Sequence, residues 1–274
     1  MTDKSGTDKS GVHWSNVSVR YPGAATQAVT GVSFTAASGS VTAVVGPNGS
    51  GKSTLVRALL RRVPLLEGRI LIAGTDSASL TQRVLAQRVA VVVQREEPAF
   101  PMLAREYVAL GRAPHVEAWG ADPRATAAIH EAVSQAGVHD LLDRRTDELS
   151  GGEWQRLRLA RAIAQESETI VLDEPTTFLD IAHEMSAFEL LADLARRGRA
   201  VLAVSHQLNL VSRFADRIVL LHRGAVVADG TPDDVIRASV LEAVYEWPLV
   251  VSRDPAIGAP TLVPLRRRSV RPRT

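Results

Sequence analysis

The stretch Gly46-Pro47-Asn48-Gly49-Ser50-Gly51-Lys52-Ser53-Thr54 combines residue types that can hold a chain of phosphates. Glycines let the backbone wrap closely around anionic oxygens, because no side chain intervenes. Loop N–H groups and the end of a following helix point at the anion. Lys52 offers a point charge to β- and γ-phosphates, and Ser53 offers a hydroxyl to Mg²⁺. The elements that must position them are present. Val41-Thr42-Ala43-Val44-Val45 reads as a buried strand, and Leu55 to Leu60 reads as a helix. Strand, glycine-rich loop and helix are the frame of the Walker A phosphate-binding motif.

Other residues gain meaning from that frame. Thr169-Ile170-Val171-Leu172 is a buried strand that runs into Asp173-Glu174-Pro175. In the Walker B arrangement, Asp173 would hold Mg²⁺ through water and Glu174 would orient and polarise an attacking water. The other reading is a strand end carrying two solvated acids. Val89 to Val93 ends at Gln94, and Ala200 to Val204 ends at Ser205-His206. Polar residues just past the carboxyl ends of parallel strands face the ligand crevice. Taken alone, Gln94 is equally an ordinary strand end and His206 a structural histidine. Ser150-Gly151-Gly152 opens a helix that runs to Gln165, either as a second phosphate cradle or as an ordinary helix entry. Tyr21 ends the strand Val12 to Val19. It could stack on an adenine ring or pack beside a turn.

The 274 residues suffice for one large domain or two small ones, and a hydrophobic share of 45% is globular. A net charge of +2 argues against a nucleic-acid partner. The absence of cysteine excludes disulfides and thiolate metal sites. No apolar run reaches the roughly 18 residues of a membrane span. The polar start, residues 1–11, reads as a disordered leader. From Arg95 to about residue 165 the β-branched runs give way to alanine-rich helical patterning. Leu103 to Gly111 predicts one helix. Asp122-Pro123 predicts the start of another, with Asp at the N-cap and Pro at the first position. Residues 265–274 form a basic tail with Arg266, Arg267, Arg268, Arg271 and Arg273.

In this fixed order the motifs resemble the ATP-binding subunits of ABC transporters, over roughly Val12 to Pro264. Tyr21 matches the adenine-stacking aromatic, Gly46 to Thr54 the Walker A motif, and Gln94 the Q-loop. Leu149 to Gln155 matches the signature motif, and Thr169 to Glu174 the Walker B motif. Thr177-Phe178-Leu179-Asp180 matches the D-loop and His206 the switch histidine. The resemblance implies an α/β P-loop NTPase with a parallel core sheet, an antiparallel β subdomain and an inserted α-helical subdomain at about 95–165. It implies ATP and Mg²⁺ as cofactors. Ser53, Gln94 and Asp173 would lie around the metal, and Glu174, His206 and Gln94 would serve hydrolysis.

A finer likeness links Glu106-Tyr107-Val108-Ala109-Leu110-Gly111-Arg112-Ala113-Pro114-His115 to importers of ferric siderophores, haem and cobalamin. Asp173 to Ile181 and Asp254-Pro255 to Pro264 resemble the same subfamily. Thr169, Gln207 and the pair Glu96-Glu97 depart from it. The family places the phosphate loop of one copy against the signature motif of another, so a head-to-tail, ATP-sandwich dimer is expected. Its expected partners are an integral membrane permease and, indirectly, an extracytoplasmic substrate-binding protein. The expected location is the cytoplasmic face of the membrane. Phe100, Met102, Leu103 and Tyr107 would border a groove for a permease helix. Competing readings are a soluble ABC ATPase outside transport and a non-hydrolysing regulator.

Overall fold

Uninterrupted β-branched runs become parallel strands here, interior ones except for Val89–Val92, which takes the sheet edge, and alternating runs become an antiparallel sheet. The structure, a computed structural model, describes residues 10–94, 96, 100–116, 122–174 and 180–266. The leader up to residue 9, Glu97, Thr177-Phe178-Leu179 and the arginines from Arg267 onward lie outside the described residues.

Strands β1 (Gly11–Val19) and β2 (Val29–Ala37) precede β3 (Val41–Val45), which feeds α1 (Lys52–Leu59). There follow β4 (Glu67–Ile72), β5 (Thr75–Asp76), α2 (Gln82–Arg88) and β6 (Val89–Val92). Next come α3 (Ala104–Ala109), α4 (Ala125–Ala136) and α5 (Gly151–Ala164), before the chain returns to β7 (Thr169–Asp173). After it stand α6 (Ile181–Arg196), β8 (Ala200–Val204), α7 (Leu208–Phe214), β9 (Arg217–His222) and β10 (Ala225–Gly230). The chain closes with α8 (Pro232–Val235), α9 (Ala238–Tyr245), β11 (Leu249–Arg253) and β12 (Pro260–Pro264).

Among the described residues, one sheet has the order β10-β9-β3-β8-β7-β6 and a second the order β2-β1-β4-β5, with β11-β12 as a separate hairpin. β3 lies between β8 and β9, parallel to both, with Val44 opposite Val204 and Val219. All five residues of β3 are buried, as an interior parallel strand requires. Their side chains alternate between two cores. Val41, Ala43 and Val45 join the cluster that holds α3 to α7. Val44 joins the cluster of α1 and the antiparallel sheet. Each fully buried side chain of the Leu55 or Phe188 kind contributes about 1.5–3 kcal/mol. This packing holds the carboxyl ends of β3, β6, β7 and β8 in one row.

The helices between β6 and β7 correct three expectations. α3 ends at Ala109 and the chain tightens into a 3-10 turn over Leu110–His115. α4 starts later than expected, at Ala125 with Arg124 as its N-cap, two residues after Asp122. One oxygen of the Asp122 carboxylate accepts from the Arg124 N–H at 3.0 Å, and the other accepts at 2.6 Å from Arg112, which is almost fully buried. The same guanidinium donates to the Ala164 carbonyl and to Glu166, at 2.7 and 2.8 Å. A buried cation must be paired in this way. Tyr107 does not border an open groove. It is 2% exposed and sits inside the helical core, whereas Phe100 is 64% exposed. Met102 packs against that core.

Candidate functional site

β3 delivers the chain into the glycine-rich loop, and the loop can close only with glycine at two positions. Gly46 has φ +148°, and a Cβ there would stand 2.1 Å from the Leu221 carbonyl oxygen. Gly51 has φ +104°, and a Cβ there would meet the Ala28 carbonyl oxygen at 2.7 Å. Gly51 is also the N-cap of α1, so no side chain caps that helix. Its first turn is left to an anion. The loop is braced from outside: the Gly224 N–H donates to the Ser50 carbonyl at 3.1 Å, and the Thr30 N–H donates to Gly224 at 2.8 Å.

Lys52 is the first residue of α1 and is 6% exposed. Its ammonium donates to the carbonyls of Gly46 and Pro47 at 2.8 and 3.1 Å, so the head group is held over the loop. Burial lowers its pKa, and the nearby carboxylates Glu174 and Asp173 oppose that shift. The next residue, Ser53, donates to Asp173 at 3.3 Å. Burial raises the Asp173 pKa, while the Ser53 bond pulls it back. A buried carboxylate beside a hydroxyl suits a divalent cation. Among the described residues no three His, Cys, Asp or Glu side chains form a protein-only metal cage. One carboxylate and one hydroxyl fit Mg²⁺, an ion that binds proteins through few side chains and keeps phosphate oxygens and water as its other ligands.

Three strand ends meet at Glu174. The residue has φ +52°, a left-handed conformation that costs a non-glycine residue about 1 kcal/mol or more. Its N–H donates to the Val204 carbonyl of β8 at 2.9 Å, which fixes the turn. Its carboxylate accepts from the Gln94 side-chain amide at 2.6 Å. The other oxygen lies 3.5 Å from His206 Nδ1. Gln94 follows β6, Glu174 follows β7 and His206 follows β8, so a carboxamide, a carboxylate and an imidazole converge at the carboxyl edge of the sheet. All three line a cavity of about 890 Å³ together with the whole loop from Gly46 to Thr54. That volume accommodates a nucleotide.

Tyr21 and the helix entry Ser150-Gly151-Gly152 sit apart from this group. Tyr21 does not line the cavity. Its hydroxyl is 3.2 Å from Thr54 Oγ1 and accepts from Arg57 at 3.1 Å, which places it beside the first turns of α1. Ser150, Gly151 and Gly152 also line no part of the cavity. They open α5 through a capping box. Ser150 Oγ accepts from the Glu153 N–H at 3.4 Å, and Glu153 accepts from the Ser150 N–H at 2.8 Å. Those bonds and Arg144 hold the Glu153 carboxyl down to about 2. A Cβ on Gly152 would stand 2.2 Å from the His183 ring, so glycine lets α5 start against α6. Asp180 caps α6 and also bonds His183 at 2.7 Å.

Sequence reading missed Tyr245, which lines the cavity from the end of α9. Its hydroxyl is buried without a partner, and burial pushes its pKa up to about 12. No local spacing could reveal it, because only the tertiary fold brings α9 beside His206.

A glycine-rich phosphate loop with acids, an amide and an imidazole at adjacent parallel strand ends defines a P-loop nucleoside triphosphatase. A family model for ABC transporters matches residues 29–177. The chain belongs to the ABC transporter family, as one of its ATP-hydrolysing ATP-binding proteins. It is 41% identical over 238 residues to the hemin import ATP-binding protein HmuV of Nocardia farcinica, spanning 86% of this chain and 81% of that protein. It is 36% identical over 233 residues to the ferric enterobactin transport ATP-binding protein FepC of Escherichia coli K12, spanning 84% and 85%. The cobalamin import ATP-binding protein BtuD of Halobacterium salinarum matches at 39% identity, over 84% of this chain and 58% of that protein. Among solved structures, a metal-chelate type ABC transporter in an inward-facing conformation superposes with a TM-score of 0.81 at 26% identity, covering 94% of this chain and 98% of that chain.

Proposed function

We propose that this chain hydrolyses ATP at a site completed by a second copy of itself, and that the work drives import of a metal chelate through a separate membrane permease. The observation that carries the reading is a separation. Gln94, Glu174 and His206 meet at the phosphate loop, while the Ser150-Gly151-Gly152 helix entry lines no part of that cavity. In a two-fold, head-to-tail pair each copy lends its entry to the other's loop. In this reading Lys52 and the loop amides bind the β- and γ-phosphates. Tyr21 stands on the adenine side. Ser53 and Asp173 would hold Mg²⁺ with Gln94 nearby, and the ion would supply charge neutralisation on the phosphates. Glu174 orients the attacking water and takes its proton. His206, 3.5 Å from Glu174, senses the γ-phosphate. Catalysis of this kind rests on positioning and charge stabilisation.

Transport needs a partner that spans the membrane. Among the described residues no helix is long and apolar enough to cross one. The proposed place of the chain is therefore the cytoplasmic face of the membrane, against a permease fed by an extracytoplasmic binding protein. The proposed division is an ABC ATPase domain over 12–264 with its helical part at about 95–165. The cargo class follows the named relatives, which are ATP-binding proteins of hemin import, cobalamin import and ferric enterobactin transport. The test is uptake of each chelate by vesicles carrying the permease and this chain. ATP-dependent uptake of one of them supports the reading. ATP turnover with uptake of none overturns the cargo assignment.

A further inference from the structure

The segment that carries Gln94 is fastened to helix α5 along one face. Trp154, Arg158 and Arg161 stand on that face, four and then three residues apart. Trp154 donates its indole N–H to the Glu96 carbonyl at 3.0 Å. Arg158 donates to the Val93 carbonyl and lies 3.5 Å from the Glu96 carboxylate through Nε. Arg161 forks the same carboxylate, its second contact at 3.1 Å, and lies 4.9 Å over the Tyr107 ring. Tyr107 donates its hydroxyl to Glu96 at 2.9 Å and packs 4.6 Å from the Trp154 ring. Glu96 is thus one carboxylate shared by two guanidiniums and a phenol, at a largely buried point. Burial bears on Arg158 too, lowering its pKa against the opposing charge of Glu96. Removing Glu96 leaves two close, poorly solvated cations without a counter-charge.

We propose that Glu96 is a positioning residue that joins the Gln94 segment and α5 into one mechanical unit. The two ends of that unit are different sites. At one end Gln94 touches Glu174 at 2.6 Å. At the other, α5 begins with Ser150-Gly151-Gly152. A shift of Gln94 on nucleotide binding must carry α5 with it or break the Glu96 clasp. The presentation of the helix entry to a second copy is thereby coupled to occupancy of the phosphate loop. The proposal rests on the two-copy reading above for its consequence in turnover, and on this chain's own contacts for the coupling.

The experiment uses the full-length chain with Trp14, Trp119 and Trp247 replaced by Phe, so that Trp154 alone reports. ATP binding is followed by calorimetry and by Trp154 emission, and turnover by phosphate release. In Glu96→Ala, ATP affinity stays within about twofold while turnover falls about tenfold, a loss typical of coupling between linked sites. The Trp154 response to bound ATP disappears. Glu96→Gln keeps acceptors for Tyr107 and Arg161 and restores part of both. A Glu96→Ala chain that keeps the Trp154 response overturns the proposal. So does a turnover loss that only follows the folded fraction. If Glu96→Ala does not fold, Gln94→Ala serves instead, since it leaves the clasp intact and removes its input. The Trp154 response is then expected to vanish, and its persistence overturns the proposal. If the parent chain neither hydrolyses nor associates with ATP, the two-copy reading fails, and the Trp154 response still decides the clasp.

Discussion

Glu174→Gln is the sharpest single test of the chemistry. The substitution preserves shape, and its amide oxygen can still accept from Gln94, as the carboxylate does at 2.6 Å. It removes the base and the negative charge beside His206. The loop, Lys52 and Ser53 are untouched, so ATP should still bind. Losing a positioned acid–base group costs about 10²-fold or more in turnover. A hundredfold loss corresponds to about 2.7 kcal/mol of transition-state stabilisation. A second effect runs in a known direction. Glu174 now supports the charge of Lys52 against burial. Its neutralisation lowers the Lys52 pKa further, while Asp173 continues to oppose that. Phosphate release measured beside ATP calorimetry separates the two effects. The expected result is near-normal ATP affinity, turnover at the limit of detection and an ATP-bound dimer on size exclusion. Turnover within about threefold of the parent, far from the loss expected of a general base, would refute the role given to Glu174.

Lys52→Ala should weaken ATP binding, because it removes the ammonium that the Gly46 and Pro47 carbonyls hold over the loop; unchanged affinity by calorimetry contradicts this. Phe100→Glu should reduce chelate uptake in vesicles and leave the ATPase of the isolated chain intact, since Phe100 is exposed and outside the helical core; uptake at the parent rate places permease docking elsewhere. Glu153 titrates at about 2 against an ordinary value of 4.5. A depressed carboxylate stabilises the fold above its unfolded value, and that stability is lost as pH falls through the folded value. The Tm difference between parent and Glu153→Gln should therefore shrink from pH 4.5 towards 2, and a difference constant over that window contradicts the cap.

What was legible in the sequence was what local rules decide. The Val41 to Val45 run, the glycine loop and the helix after it follow from spacing alone, and the structure sets them in that order. Asp173, Gln94 and His206 were readable as strand-end residues because parallel strands expose their carboxyl ends to ligand. Long-range partners decided the rest. Asp122 keeps the local bond to the Arg124 N–H that its N-cap signal implies, but buried Arg112 takes its other oxygen and α4 starts only at Ala125. Tyr107 looks like a groove aromatic until Glu96, Trp154 and Arg161 enclose it. Glu96 itself stood out only as a departure from a family pattern, and its contacts on α5 are 58 to 65 residues away. Tyr245 gives no sequence signal at all, because α9 reaches the cavity only through the packing of the last third of the chain.

The central claim is that each ATP site takes its phosphate loop from one copy and its helix entry from the other. Mixing two inactive variants tests it most directly. Lys52→Ala disables the loop, and Ser150→Arg disables the entry. Each homodimer then lacks one half of both sites. In the mixed pair one site collects both defects and the other collects none. Equal mixing should restore phosphate release to about a quarter of the parent rate, because half the pairs are mixed and each holds one intact site of two. If both halves of a site came from the same copy, the mixture would stay as inactive as either variant alone.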